Sequence, residues 1–307
     1  MTLTELRYVV AVARERHFGR AAESCFVSQP TLSVSIKKLE DELDVRIFER
    51  GANEVSVTPI GEEIVRQAQQ VIEQAQGIRE LARRGKDPLN GPLRLGVIYT
   101  IGPYLLPDLV RQAIERVPQM PLMLQENFTA RLLDMLRTGE LDAAIMAEPF
   151  PDTGLAVAAL YDEPFMIALP KSHPLAMRKA IAAEELKEEK MLLLGTGHCF
   201  RDHVLEVCPE HARFSTDAGG MRKSFEGSSL ETIRYMVASG MGLTVVPQLS
   251  VATDAHAQVA YVPFAKPVPT RRVVLAWRRS FTRYEAIAAL RNAIYACPLK
   301  GVNRLTA

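Results

Sequence analysis

The chain has 307 residues, a formal net charge of +1 and 48% apolar residues. That length suits two or three domains, and the composition excludes disordered and fibrous classes. A chain so near neutrality has no general attraction for nucleic acid, so any such binding must come from a few placed contacts. No apolar run approaches the roughly 18 residues of a membrane span. Met1 to Val10 carries Glu5 and Arg7 where a secretory segment would be apolar. A cytosolic protein without a membrane partner is expected. The four cysteines are Cys25, Cys199, Cys208 and Cys297, with no Cys-x-x-Cys pair and no His/Cys cluster at zinc spacing. No metal or cofactor is expected, and a disulfide in a reducing cytosol would be transient and functional.

In the first sixty residues, Leu3, Leu6, Val9, Val10 and Ala13 recur at helical spacing. Gly19 marks a break, and Arg20 to Cys25 reads as a second short helix. Ser28 suits an N-cap and Pro30 the first turn of a third helix. Leu32, Ile36, Leu39 and Leu43 give that helix one buried stripe, and Thr31, Ser33, Val34, Lys37 and Lys38 lie on its other face. Three such helices suit a helix-turn-helix, whose later helix enters the major groove of DNA by its N-terminal residues. Residues 1–58 hold eight Lys/Arg and nine Asp/Glu, yet Ser24 to Leu39 has two lysines and no acid. Gln29 can read a base edge, and Thr31, Ser33 and Lys37 suit phosphates or less specific contacts. Val45 to Phe48 and Val55 to Val57 read as two short strands around Gly51 and Asn53, a wing with Arg50 placed for phosphate or minor groove. Thr58 then caps a helix that begins at Pro59. On spacing alone, a small helical subdomain with polar faces is the competing reading.

Ile64, Ala68, Val71, Ala75, Ile78 and Ala82 alternate spacings of four and three, a heptad seam that would pair two subunits or pack on its own domain. Gly85 to Pro92 reads as a linker. Leu93 to Ile98, Leu122 to Gln125 and Leu141 to Met146 read as strands, with helices over Leu105 to Val117 and Ala130 to Arg137 between them. This βαβαβ order predicts a mainly parallel sheet covered by helices. A second set starts at Pro164 to Leu169 and includes a helix over Ser229 to Ala238 and a strand over Gly242 to Val246. Val273 to Trp277 is a late strand that returns to the first lobe. Ligands bind at turns beyond the carboxyl ends of strands, where Thr100 and Thr129 fall.

The segment Gly195-Thr196-Gly197-His198-Cys199-Phe200-Arg201-Asp202 places a thiol just before a predicted helix, with His198 and Arg201 nearby. A helix N-terminus and cationic neighbours lower a thiol pKa, and a thiolate can attack a peroxide oxygen to become a sulfenic acid. Phe200, Val204 and Cys208 share one helical face, which predicts a buried Cys208. A nine-residue helix would hold the two thiols roughly 13 Å apart along its axis, so a bond between them would require the segment to refold. The competing reading is two small buried hydrophobes, which is also the reading for Cys25 and Cys297.

The ordered series Phe18-Gly19-Arg20-Ala21-Ala22, Val27-Ser28-Gln29-Pro30-Thr31-Leu32-Ser33, Ile36-Lys37-Lys38-Leu39-Glu40, Phe48-Glu49-Arg50 and Thr58-Pro59-Ile60-Gly61 closely resembles the N-terminal domain of LysR-type regulators. Val34 stands where many members carry a larger polar residue. The resemblance implies an α/β protein with a winged helix-turn-helix over residues 1–58 and a linker and dimerisation helix over 59–87. A two-lobed regulatory domain similar to periplasmic binding proteins would follow over 88–307, with lobe I over 88–162 and 268–307 and lobe II over 163–267. It implies a homodimer or homotetramer on double-stranded promoter DNA, with RNA polymerase as a further partner. The DNA-contacting residues would be Gln29, Pro30, Thr31, Ser33, Val34, Lys37 and Arg50. Gly197 to Asp202 with Cys208, Tyr99 to Pro107 and Ser229 to Thr232 are similar to the hydrogen-peroxide sensors of that family. This implies Cys199 as the peroxide-reactive residue and Cys208 as its resolving partner. Thr100, Thr129, His198 and Arg271, which adjoins Arg272, would hold peroxide near Cys199. A LysR-type regulator answering a small metabolite between the lobes, and a thiol-dependent peroxidase, are the two other readings; the latter leaves the first sixty residues unexplained.

Overall fold

Thr2 starts the first helix through a reciprocal cap. Its hydroxyl accepts from the Glu5 amide at 3.2 Å, and the Glu5 carboxylate accepts from the Thr2 amide at 2.7 Å. In the computed structural model, which describes residues 1–50, 55–83, 88–151, 154–213, 224–227, 229–251 and 258–305, this helix, α1, spans Leu3–Glu15. It stops where Arg16 takes a positive φ of 48°. The next helix, α2 (Phe18–Ser24), begins earlier than the sequence suggests, because His17 caps it. The Nδ1 of His17 accepts from the Gly19 and Arg20 amides at 3.0 and 3.2 Å. An imidazole serving as an N-cap lies outside the usual Ser/Thr/Asp/Asn signal, so Gly19 is not the break but the second residue of the helix.

Helix α3 (Gln29–Leu43) is capped by Ser28 with Pro30 in its first turn, as expected. Leu32, Ile36 and Leu39 are fully buried, whereas Leu43, expected on the same stripe, ends the helix and is 37% exposed. Glu40 takes a place in the interior instead. Its Oε1 accepts from the Ile47 and Phe48 amides at 2.7 and 3.1 Å, which anchors the start of the wing. The first wing strand, β1 (Phe48–Arg50), therefore starts at the end of the expected Val45–Phe48 segment. It pairs antiparallel with β2 (Val55–Val57) in the register Phe48↔Val57. Gly51 and Asn53, expected in the turn, lie outside the described residues. Thr58 accepts from the Gly61 amide and caps α4 (Pro59–Arg83). Ile64 and Ala68 of the heptad seam pack on this unit's own core, while Val71 and Ile78 are exposed. The reading of a helix packed on its own domain thus holds for the first part of the seam. The side chain of Ala82 lies outside the described residues. Among the described residues, no helix is long and apolar enough to cross a membrane.

Contacts divide the chain into Met1–Lys86 with Arg137–Gly139, and Asp87–Leu136 with Glu140–Ala307. The second unit runs β3 (Leu93–Ile98), α5 (Gly102–Arg116), β4 (Leu122–Asn127), α6 (Thr129–Arg137), β5 (Ala143–Ala147) and the long β6 (Leu155–Pro170). It continues with β7 (Met191–Leu194), α7 (Cys199–Val207), α8 (Glu210–Arg213), β8 (Ser224–Gly227), α9 (Leu230–Ala238) and β9 (Thr244–Pro247). Strands β10 (Val259–Pro263) and β11 (Thr270–Arg278), helix α10 (Tyr284–Ala296) and β12 (Asn303–Arg304) complete it.

The sheet is mixed and not mainly parallel. Strands β4, β3 and β5 are parallel neighbours because helices cross over between them. The returning β11 enters between β5 and β6 and is antiparallel to both. Both β9 and β10 pair antiparallel with the far half of β6. One core gathers Leu93 to Tyr161 with Val273 to Leu299, and another gathers Phe165 to Phe264. Strand β6 runs from the first core into the second, and β11 pairs with it as far as Pro164.

Candidate functional site

Parallel pairing sets Ile98 of β3 beside Asn127 of β4, so the turns after these strands lie side by side. Thr100 falls on the first turn, and Thr129 is the first residue of α6. The third wall comes from the loop between β7 and α7. Together, residues Ile98 to Thr100, Asn127 to Thr129 and Gly197 to Cys199 line a small, partly open pocket. Four sequence-predicted residues thus meet: Thr100, Thr129, His198 and Cys199. Gly197 makes the approach feasible. Its φ is +100°, and a Cβ there would stand 3.4 Å from the Phe128 ring. Side-chain-bearing L residues rarely adopt this backbone conformation.

The two threonine hydroxyls differ in state. The Thr129 Oγ1 is buried and without a hydrogen-bond partner among the described residues. Such a group costs free energy unless something polar occupies the pocket. The Thr100 Oγ1 accepts from Arg271 Nη1 at 2.7 Å and keeps its own proton to donate. The imidazole of His198 is buried and held edge-on by Phe128 and Tyr99, with centroids 4.8 and 5.9 Å away.

Arg271 does not line the pocket. It acts from behind through Thr100, whose carbonyl also accepts from Nη2 at 3.0 Å. Register places Arg271 opposite Glu163 across β11 and β6, and its Nε donates to that carboxylate at 2.9 Å. Both side chains are about 1% exposed. The second Glu163 oxygen accepts from the Leu249 amide at 2.8 Å, so the buried carboxylate is well partnered. The guanidinium also lies 5.1 Å from the centre of the Phe200 ring. Arg272 points the other way and pairs with Asp162 at the surface, at 2.8 and 3.0 Å. Strand alternation therefore sends Arg271 inward to Thr100 and Arg272 to the surface.

Cys199 is the first residue of α7, and Cys208 is the residue that ends it. Their surroundings differ. Cys199 is partly buried against the first core, while Cys208 is buried inside the second with Phe200 and Val204. Burial, and then the negative charge of Glu184, push the Cys208 thiol up to about 11. Nine helical residues separate the thiols by roughly 13 Å along the axis. Arg201 donates from Nη1 to the Leu194 carbonyl at 2.8 Å, tying the first turn of α7 to the end of β7.

His203 is a further pin on α7. Its Nε2 donates to the Glu148 carbonyl at 2.9 Å, while Nδ1 is buried without a partner among the described residues. Burial, and then the charge of Arg271, lower its pKa from the ordinary 6.5. The unfolded chain takes up a proton near that value and the folded chain does not. Stability is therefore full above it and is lost as pH falls toward the folded pKa. A His203→Gln variant keeps a donor for Glu148 and is expected to lose less stability between about pH 7.5 and about pH 5.5. Urea midpoints at the two pH values check this.

In the N-terminal unit, Gln29, Pro30, Thr31, Val34 and Lys37 are exposed at the start and along one face of α3, and Ser33 is half-buried. The Thr31 hydroxyl also hydrogen-bonds the capping Ser28 at 2.8 Å. The side chain of Arg50 lies outside the described residues. Sequence reasoning missed Phe128, Glu163 and His203, and named Tyr99 and Phe200 without a role at the pocket. Tyr99 and Phe128 could have been found as the residues just before the two threonines, whereas Glu163 is visible only through the β6–β11 register.

A winged helix-turn-helix followed by a long helix and a two-core α/β unit with a small pocket defines a DNA-binding regulator with a built-in sensory part. The chain belongs to the LysR family of bacterial helix-turn-helix regulators. The description "Bacterial regulatory helix-turn-helix protein, lysR family" matches residues 3–62, and "LysR substrate binding domain" matches residues 86–296. The "Hydrogen peroxide-inducible genes activator" of Pectobacterium carotovorum subsp. carotovorum is 40% identical over 94% of this chain and 95% of its own length. The "DNA-binding transcriptional dual regulator OxyR" of Escherichia coli K12 is 39% identical over 94% of both chains. Among solved structures, full-length OxyR C199D from Pseudomonas aeruginosa is 52% identical, with a TM-score of 0.75 over 100% of this chain and 98% of that one. An H2O2-bound OxyR mutant from Corynebacterium glutamicum is 32% identical, with a TM-score of 0.62 over 95% and 91%.

Proposed function

We propose that this protein is a transcription regulator that senses hydrogen peroxide through oxidation of Cys199 and a Cys199–Cys208 disulfide, and so controls oxidative-stress genes. The observation that carries the reading is the pocket itself. It is small, opens on a thiol at a helix N-terminus, and presents one unpartnered hydroxyl and one proton-bearing hydroxyl. The names of the relatives support it, as does the peroxide reported in the C. glutamicum structure.

In the first step the Cys199 thiolate attacks one oxygen of hydrogen peroxide. An S–O bond forms, the O–O bond breaks, and sulfur loses two electrons to become a sulfenic acid. The departing hydroxide takes a proton and leaves as water. Thr100 and Thr129 hold the peroxide and steady the charge that develops on the leaving oxygen, His198 closes the site, and Arg271 orients Thr100. In the second step the Cys208 sulfur attacks the sulfenic sulfur, and its proton leaves with the oxygen as a second water. Burial raises the Cys208 thiol above its ordinary range, which supports a first reaction at Cys199. A disulfide needs its Cα atoms within about 7 Å, so α7 must come apart and withdraw Phe200 and Val204 from the second core. Chemistry at one atom thereby becomes a change of shape.

The output is DNA occupancy. The exposed face of α3, with Gln29, Thr31 and Lys37, enters the major groove, supported by Pro30, Ser33, Val34 and Arg50. The exposed Val71 and Ile78 of α4 suit pairing of two chains, giving a homodimer or homotetramer that contacts RNA polymerase in the cytosol. Footprinting on a promoter tests the reading. Stoichiometric peroxide is expected to change the protected length with wild-type protein and to leave it unchanged with Cys199→Ser. An unchanged wild-type footprint, with peroxide consumed at Cys199, would overturn it.

A further inference from the structure

We infer that the rings of Tyr99 and Phe128 act as a size filter on the oxidant, admitting hydrogen peroxide to Cys199 and excluding alkyl hydroperoxides. This rests on the reading of Cys199 as the oxidised group and adds a specificity determinant to it. The two rings come from different strand ends, one residue before each pocket threonine. They pack edge to face with centroids 5.2 Å apart and an interplanar angle of 74°. Both bear on the His198 ring, so three aromatic groups form one continuous wall. Each of the two is 38% exposed, a placement between the pocket and solvent. The positive φ of Gly197 brings backbone against the Phe128 ring with no side chain between. The Phe128 ring offers no polar group to a site whose other work is done by hydroxyls. The three rings pack on one another, so a larger guest must part them to enter.

The chemistry explains why a filter at this position discriminates. An alkyl hydroperoxide would react by the same displacement: the S–O bond forms, the O–O bond breaks, sulfur is oxidised by two electrons, and an alkoxide leaves and takes a proton to become an alcohol. The alkyl group is on the leaving oxygen. It must therefore fit beside Thr100 and Thr129 as the reaction proceeds, in a narrow pocket walled on one side by Tyr99 and Phe128. Removing a ring opens that space.

The test uses reduced full-length protein and compares rate constants for Cys199 oxidation by hydrogen peroxide and by tert-butyl hydroperoxide. A Cys199→Ser variant supplies the background from the other thiols, and a free small thiol supplies the intrinsic ratio of the two oxidants. The wild-type ratio is expected to exceed the free-thiol ratio by about a hundredfold, and Phe128→Ala to lower it by about tenfold through faster reaction with tert-butyl hydroperoxide. Tyr99→Ala should act in the same direction, and Phe128→Leu should fall between. Both positions are partly exposed, so these variants are expected to fold. An unchanged ratio in both alanine variants overturns the filter. So does slower reaction with tert-butyl hydroperoxide, which would mean that the rings bind alkyl groups. Failure of the wild-type Cys199 to react with hydrogen peroxide is a distinct result, and it removes the peroxide reading along with the filter.

Discussion

An Arg271→Leu substitution is expected to destabilise the α/β unit by about 3–5 kcal/mol, the cost of leaving one member of a buried ion pair uncompensated. The basis is that Glu163 and Arg271 are both almost completely buried and bonded to each other, and that Arg271 supplies two of the hydrogen bonds holding Thr100. Among the described residues, leucine leaves the Glu163 carboxylate with only the Leu249 amide and strips Thr100 of its Arg271 bonds. The neighbouring Arg272→Leu is expected to leave stability nearly unchanged, since that pair is solvent-exposed. Urea denaturation separates the two outcomes. An Arg271→Leu midpoint indistinguishable from that of Arg272→Leu would contradict the assignment of Arg271 to the interior. The double variant Arg271→Leu with Glu163→Leu should recover much of the loss, because no unpaired charge remains. It should not recover the rate of Cys199 oxidation, because Thr100 is still unheld. That divergence between stability and reactivity distinguishes positioning from simple structural support.

The second large effect concerns the thiols. Cys199→Ser is expected to reduce peroxide consumption to background, because a serine hydroxyl is not ionised near neutrality and cannot replace the thiolate. Cys208→Ser is expected to consume peroxide at Cys199 and then stop at the sulfenic acid, which a dimedone-type trap would capture. The contrast follows from their places at opposite ends of α7, one in the pocket and the other in the second core. Equal loss of reactivity in both variants would mean that Cys208 takes part in the first step, which its burial argues against.

Much of this was legible in the residues, and what was not has identifiable causes. The third helix was readable because Ser28, Pro30 and the spacing of Leu32, Ile36 and Leu39 all point to the same start and the same buried face. The second helix began early because His17, an unusual cap, did what Ser or Asp normally does. The wing strand was misplaced because a buried Glu40 fixes it through two backbone amides, and an acid in the interior has no periodicity signature. The sheet was expected to be mainly parallel because the βαβαβ run is local in sequence. The antiparallel insertion of β11 between β5 and β6 is a long-range event. In the site, Thr100 and Thr129 were accessible as residues beyond strand ends, and Cys199 as a thiol before a helix. Glu163 was not, because it reaches Arg271 only through a cross-strand register. The adjacent arginines could not be told apart until the pleat sent one inward and the other to solvent.

The burial of Phe200, Val204 and Cys208 also bears on reversibility. Withdrawing large apolar groups from a core costs roughly 1.5–3 kcal/mol for each side chain fully exposed. A disulfide made at that expense is held less firmly than one formed between thiols already in place, as a resettable signal requires. The same helix carries the His203 bond to Glu148 and the Arg201 bond to Leu194, both of which resist its opening in the reduced protein.

The central claim is that chemistry at Cys199 is converted into a Cys199–Cys208 bond that α7 as it stands does not permit. The most direct measurement is peptide mapping by mass spectrometry of the full-length protein, alkylated after one equivalent of hydrogen peroxide. The account predicts a linked pair of peptides containing Cys199 and Cys208, with Cys25 and Cys297 alkylated as free thiols. Recovery of all four cysteines as free thiols, or a linkage that excludes Cys208, would contradict it.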